Sequence, residues 1–142
     1  MPVLFHGTNR PLATAMAGTP ALGTIDVLTR GHGEFGRGFY TQGSISNAFR
    51  RGYSRFGNNN AVLVLTVDAH AYHALNFKRL TLNGAQMLDA KLKGKARRTF
   101  ATAHDVIVGP LVGLPSVEQQ KFQTQNAQDL LNGLLTQRAV RP

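Results

Sequence analysis

The sequence predicts an α+β fold, and three observations carry that expectation. Apolar runs of strand length, such as AVLVLTVD at 61–68 and DVIVGPLVG at 105–113, are interspersed with segments whose apolar residues recur at helical spacing. The two kinds of segment do not alternate in a regular βαβ order, which argues against a doubly wound parallel sheet. The 142 residues match the usual size of one domain, about 100–150 residues, so a single domain over 1–142 is expected.

Taken in order, VLFHGT at 3–8 reads as a strand closed by a Gly-Thr turn. The Pro, Gly and Thr residues of 11–24 then predict a loop. The glycine-rich segment GHGEFGRGFYTQGS, 31–44, predicts a loop with close backbone approach, followed by a short strand at 38–42. SISNAFRRGYSRF offers Ser44 or Ser46 as N-cap and Ile45, Ala48 and Phe49 at helical spacing, so a helix ends near Gly52 or Gly57, with GNNN at 57–60 as a turn.

After the buried strand at 61–68, Ala85, Leu88 and Leu92 mark an amphipathic helix over 83–95 behind an asparagine cap. DVIVGPLVG is a second buried strand, interrupted by Gly-Pro, and VEQQKFQT at 117–124 a more exposed one. Thr124 as cap and Ala127, Leu130, Leu131 and Leu134 predict a last helix over 125–136.

Composition narrows the chemistry. Without cysteine the chain has no disulfide, thiolate metal site, iron–sulfur cluster or cysteine nucleophile. No apolar run approaches the roughly 20 residues that cross a bilayer, and MPVLFHGTNR lacks the charged and apolar regions of a signal peptide. Sixteen Lys+Arg against seven Asp+Glu give a net charge of +9, which favours a polyanionic partner. Neither HExxH nor another ligand-spaced cluster of His and carboxylates appears, and no GxGxxG or Walker pattern supports a phosphate-cradling loop.

Four features remain as candidates for function: His6-Gly7-Thr8, the EFGRGFY segment at 34–40, the EQQKFQT strand, and the basic stretch 78–98. Each has a plain structural reading. A histidine closing a strand is commonly held by backbone groups, Tyr40 after Phe39 suits a core, glycines suit turns, and a polar EQQ suits a solvated strand face.

In this order, His6-Gly7-Thr8, Glu34-Phe35-Gly36-Arg37-Gly38-Phe39-Tyr40, Asp105-Val106-Ile107-Val108-Gly109-Pro110 and Gln119-Gln120-Lys121-Phe122 resemble the ADP-ribosyltransferase superfamily. The resembling branch is the histidine–tyrosine–glutamate one of diphtheria-toxin-like and poly(ADP-ribose)-polymerase-like enzymes. The chain is most similar to small bacterial domains carrying HG[ST], DFGxGFY, a D-I-V-I-G-P strand and a Q-x-x-F strand, and to the C-terminal toxin domains of Rhs-type interbacterial effectors.

The resemblance implies a split β-sheet core with short flanking helices, NAD as substrate, and no metal. It places His6 on a ribose hydroxyl, Gly7 on the nicotinamide carboxamide through its backbone, and Thr8 and Phe39 among the NAD-binding residues. Tyr40 stacks on the nicotinamide ring, with Tyr53 as the second wall of the slot. Where the superfamily carries glutamate, this sequence has Gln120, with Glu118 two residues earlier on the same strand face. Gln120 positions a hydroxyl without supplying a carboxylate, and Glu118 is the alternative source of that charge.

The chemistry asked of these residues is cleavage of the nicotinamide–ribose bond through an oxocarbenium-like transition state. The basic set Lys78, Arg79, Lys91, Lys93, Lys95, Arg97 and Arg98, with Arg50, Arg51 and Arg55 as a second group, points to RNA as the acceptor and protein as the second choice. The resemblance to effectors implies that the domain is secreted within a larger polypeptide, acts in a recipient cell's cytoplasm, avoids membranes, and meets an acidic immunity protein. Three alternatives stay open: an NAD glycohydrolase, a metal-independent ribonuclease using His6 with His32 or His104, and a non-catalytic anion-binding module.

Overall fold

In a computed structural model describing residues 2–18, 25–31, 33–92 and 96–142, the chain is mixed α+β. Its elements fall into two compact units, each discontinuous in sequence. The first comprises Met1–Ile25, Thr41–His73 and Leu130–Pro142, the second Asp26–Tyr40 and Ala74–Asp129.

In the first unit, strand β1 (Val3–Asn9) pairs antiparallel with β3 (Asn60–Thr66) along its whole length, from Val3↔Thr66 to Asn9↔Asn60. On the other edge of β3 lies β7 (Gln137–Arg141), also antiparallel. Strand β2 (Phe39–Gln42) passes from the second unit into the first after Tyr40 and meets β1 at Phe5↔Gln42. The β-branched and leucine-rich sequence of β3 puts Ala61, Val62, Leu63 and Leu65 in the core, as expected for a strand covered on both faces.

Helix α2 (Ile45–Phe56) packs on β1 and β3, and α1 (Arg10–Ala17) on β3 and β7. Ser44 caps α2, its hydroxyl accepting the Asn47 N–H at 3.1 Å, and Gly57 ends it, leading into a 3-10 turn over Gly57–Asn59. A short helix α3 (Ala69–His73) completes this unit's middle segment.

Helix α1 replaces the loop expected over 11–24, whose residues 19–24 lie outside the described residues. The Asn9 side chain accepts the Leu12 N–H at 2.9 Å as an N-cap. Pro11 falls in the first turn, where a missing N–H breaks no helical hydrogen bond, so this proline starts a helix instead of interrupting one. Strand β1 accordingly runs on to Asn9 without a Gly-Thr turn.

In the second unit, β5 (Val106–Pro110) is flanked by β4 (Phe77–Arg79), parallel, and β6 (Glu118–Phe122), antiparallel. Phe35, Ala85 and Ile107 form its core cluster, with Tyr40, Leu80, Leu88 and Val112 packed against them. Helix α4 (Leu82–Lys91) is capped by Thr81, whose hydroxyl accepts the Gly84 N–H at 3.1 Å, in place of the expected asparagine. The remaining helix of this unit is α5 (Ala96–Thr99).

Helix α6 (Gln125–Asn132) begins at the Thr124 cap, as its sequence predicts, but stops four residues short of 136. The Asn132 side chain leaves the helix to bond both the N–H and C=O of Ile25, each at 2.8 Å. Thr136 donates its hydroxyl to the Leu130 carbonyl at 2.6 Å, satisfying one of the orphan groups of the helix end. Leu134, read as a helix position, is 98% exposed beyond it. No helix among the described residues is long and apolar enough to cross a membrane.

Candidate functional site

The residues picked out by the sequence divide between the units: His6, Gly7, Thr8 and Tyr53 belong to the first, Phe39, Tyr40, Glu118 and Gln120 to the second. Within the first unit, His6, Gly7 and Thr8 lie in the body of β1, opposite Leu63, Val62 and Ala61 of β3. His6 is half-buried and Thr8 buried. Residue 7 lies directly under α2: a Cβ there would come within 2.0 Å of the Ala48 carbonyl oxygen. Gly52 of the helix approaches the Thr8 backbone in turn, so the glycine of the HGT motif has a packing cause of its own. Tyr53 is exposed on α2, its ring stacked on Phe49 with centroids 6.2 Å apart.

The second unit holds the more elaborate construction, built on the segment at 33–38. Gly33 and Gly36 close a tight turn, with the Gly36 N–H donating to the Gly33 carbonyl at 3.1 Å and Gly36 at φ 93°, a conformation that favours glycine. The Tyr40 hydroxyl lies inside this turn. It accepts the Phe35 N–H at 2.9 Å and donates to the Gly36 carbonyl at 2.5 Å. The Tyr40 ring rests on Gly33, where a Cβ would meet its Cζ at 2.6 Å.

Three further tethers hold the same loop. The Glu34 carboxylate accepts the Val112 N–H at 2.7 Å, the Arg37 N–H donates to the Phe100 carbonyl at 2.8 Å, and Lys121 Nζ donates to the Phe35 carbonyl at 2.7 Å. Tyr40 is therefore a ring whose position is set by its own loop. A stacking partner held this way loses little freedom when a flat ligand meets it.

Lys121 is the residue that sequence reasoning missed. It is fully buried, its Nζ lies 5.6 Å from the Phe100 ring centroid, and burial together with the neighbouring Arg37 charge pulls its pKa down to about 7. Gln119, on the same face of β6, is also fully buried, and its amide nitrogen and oxygen have no hydrogen-bond partner among the described residues. Strand β6 is thus covered at Gln119, Lys121 and Phe122 instead of being the exposed strand that its polar sequence predicts. A lysine and two glutamines in five residues carry no sequence signal of such burial.

On the opposite face of β6, Gln120 is half-buried and paired in register with Val108, and Glu118 is exposed opposite Pro110. The Glu118 carboxylate meets Arg79 Nη1 at 3.3 Å, a surface pair of modest strength. Phe39 is buried.

The basic set separates by exposure and by partner. Lys78, Lys91 and Arg98 are exposed. Arg79 is engaged with Glu118, and Arg97 is held by Asp89 and by the Leu92 carbonyl, which its Nε reaches at 2.9 Å. Lys93, Lys95 and His32 lie outside the described residues. His104 is half-buried, its Nδ1 3.4 Å from the Thr102 hydroxyl. Among the described residues no group of three or more His, Cys, Asp or Glu side chains is placed to hold a metal ion. No protein-family model matches the chain, and no curated protein matches it.

Proposed function

We propose that the chain is an NAD-dependent ADP-ribosyltransferase, a toxin domain that transfers ADP-ribose from NAD to RNA. The observation that supports this reading best is the tethered Tyr40: a phenol bonded at its hydroxyl to two backbone groups is fixed in place, as an aromatic wall for a nicotinamide ring must be, and stacking on it is worth about 1 kcal/mol. On this reading the backbone of Gly7 meets the carboxamide and His6 a ribose hydroxyl, with Thr8, Phe39 and Tyr53 as further NAD-binding positions.

In the reaction the bond between ribose C1′ and the nicotinamide nitrogen breaks, and nicotinamide leaves with the electron pair. An acceptor hydroxyl or amine of RNA forms the new bond to C1′ and gives up its proton. Gln120 positions the ribose through its neutral amide, and the Glu118 carboxylate takes the proton. Glu118 must exchange its Arg79 partner to do so, a small cost for a pair this exposed. The proposed setting is a larger secreted effector with a split-sheet transferase core, delivered to a recipient cell and neutralised there by an acidic immunity protein.

Labelled NAD incubated with the protein, total RNA and total protein tests the reading. Label on RNA is the expected result, and label on protein alone moves the acceptor. Loss of NAD without labelling makes the enzyme a glycohydrolase, RNA cleavage without NAD makes it a nuclease, and no reaction of any kind overturns the proposal.

A further inference from the structure

Helix α2 carries an exposed surface of which the NAD-binding roles use only Tyr53. Ala48 and Gly52 are buried, whereas Phe49, Arg50, Tyr53, Ser54 and Arg55 are exposed. Phe49 is 42% and Tyr53 53% exposed, and their rings are stacked with an interplanar angle of 15°. Four residues apart on a helix, the two side chains are neighbours on one side of α2, and their near-parallel rings form an exposed aromatic pair. Arg50, three residues before Tyr53, lies on the same side and is exposed, whereas Arg51 and Arg55 lie elsewhere on the helix, the Arg55 guanidinium 5.3 Å from the Phe56 ring centroid. The helix contains no Asp or Glu.

Single exposed hydrophobic residues are ordinary on a protein surface. Two near-parallel rings beside an exposed arginine, on a helix without acids, are complementary to something flat, apolar and anionic. We propose that this face of α2 binds single-stranded RNA, the rings stacking on unpaired bases and Arg50 meeting a phosphate between them. A duplex has the same phosphates but hides its base faces, so it can engage Arg50 and not the rings. The inference rests on the reading of RNA as acceptor and narrows it to unpaired segments.

The test needs no NAD. Fluorescence anisotropy with a short oligoadenylate, a duplex of equal length, and vesicles containing anionic phospholipid measures binding by the wild type and by Phe49→Ala, Tyr53→Ala and Tyr53→Phe. All three substitutions are at exposed positions, and circular dichroism checks that α2 persists. The wild type is expected to bind the single strand several-fold tighter than the duplex. Each alanine variant should weaken single-strand binding by about tenfold and leave duplex binding unchanged, and Tyr53→Phe should bind as wild type.

Equal binding of single strand and duplex, alanine variants that bind as wild type, or binding confined to the vesicles would overturn the inference. A protein that shows the expected pattern but labels nothing with ADP-ribose refutes the transferase and keeps this surface. One that labels RNA through a chain insensitive to Phe49→Ala keeps the transferase and refutes the surface.

Discussion

Gln120 is the residue where sequence and chemistry meet most sharply. A neutral amide half-buried in β6 can hold a ribose hydroxyl but cannot stabilise a developing oxocarbenium ion as a carboxylate does, a difference of several kcal/mol in a water-poor site. Restoring the charge with Gln120→Glu is expected to raise NAD turnover at least about tenfold, measured as nicotinamide release. An unchanged rate would leave Glu118 as the working carboxylate, and Glu118→Gln should then abolish turnover. For Tyr40, the preceding loop of close backbone approach was legible from its glycines. The hydroxyl bonds of Tyr40 to Phe35 and Gly36 were not, since they depend on the turn at 33–36 folding back on the ring.

At the scale of elements, β3, β5, α2 and the start of α6 could be read from the sequence, because runs of Val and Leu and Ser or Thr caps act locally. Helix α1 was hidden by Pro11, which breaks a helix only when it lies beyond the first turn. Strand β7 was hidden because QRAVR has little apolar content and gains its place by pairing with β3. Strand β6 was misread as exposed, since Gln119 and Lys121 are buried by neighbours that no local pattern announces.

That burial has a measurable consequence. Folding moves the Lys121 pKa from 10.5 to about 7, so between those values the unfolded chain holds a proton that the folded one has released. Stability attributable to this group therefore rises with pH from about 7 to about 10.5 and is flat below 7. The slope is at most about 1.4 kcal/mol per pH unit. Thermal unfolding of wild type and Lys121→Met across pH 6 to 10 should give curves that separate in this window, and parallel curves would contradict the burial. Gly7→Ala is expected to destabilise by about 1–3 kcal/mol in the same assay, because the new methyl group meets the Ala48 carbonyl of α2.

For the whole molecule, the charge of +9 sets long-range behaviour, and the structure distinguishes cations that are available from those that are engaged. Lys91 and Arg98 are exposed, whereas Arg97 is tied to Asp89 and Leu92. RNA affinity should fall linearly in log–log form with salt. Lys91→Gln and Arg98→Gln should each shallow that slope by roughly one unit, whereas Arg97→Gln should lower thermal stability instead. Salt-independent binding would remove the basic surface from the account.

The central claim is that this fold grips NAD, and calorimetric titration of NAD into the protein addresses it without reference to any acceptor. The account predicts saturable heat from the wild type and its loss in Tyr40→Ala and His6→Ala variants that remain folded by circular dichroism. A wild-type protein that gives no heat, or variants that bind as it does, would contradict it.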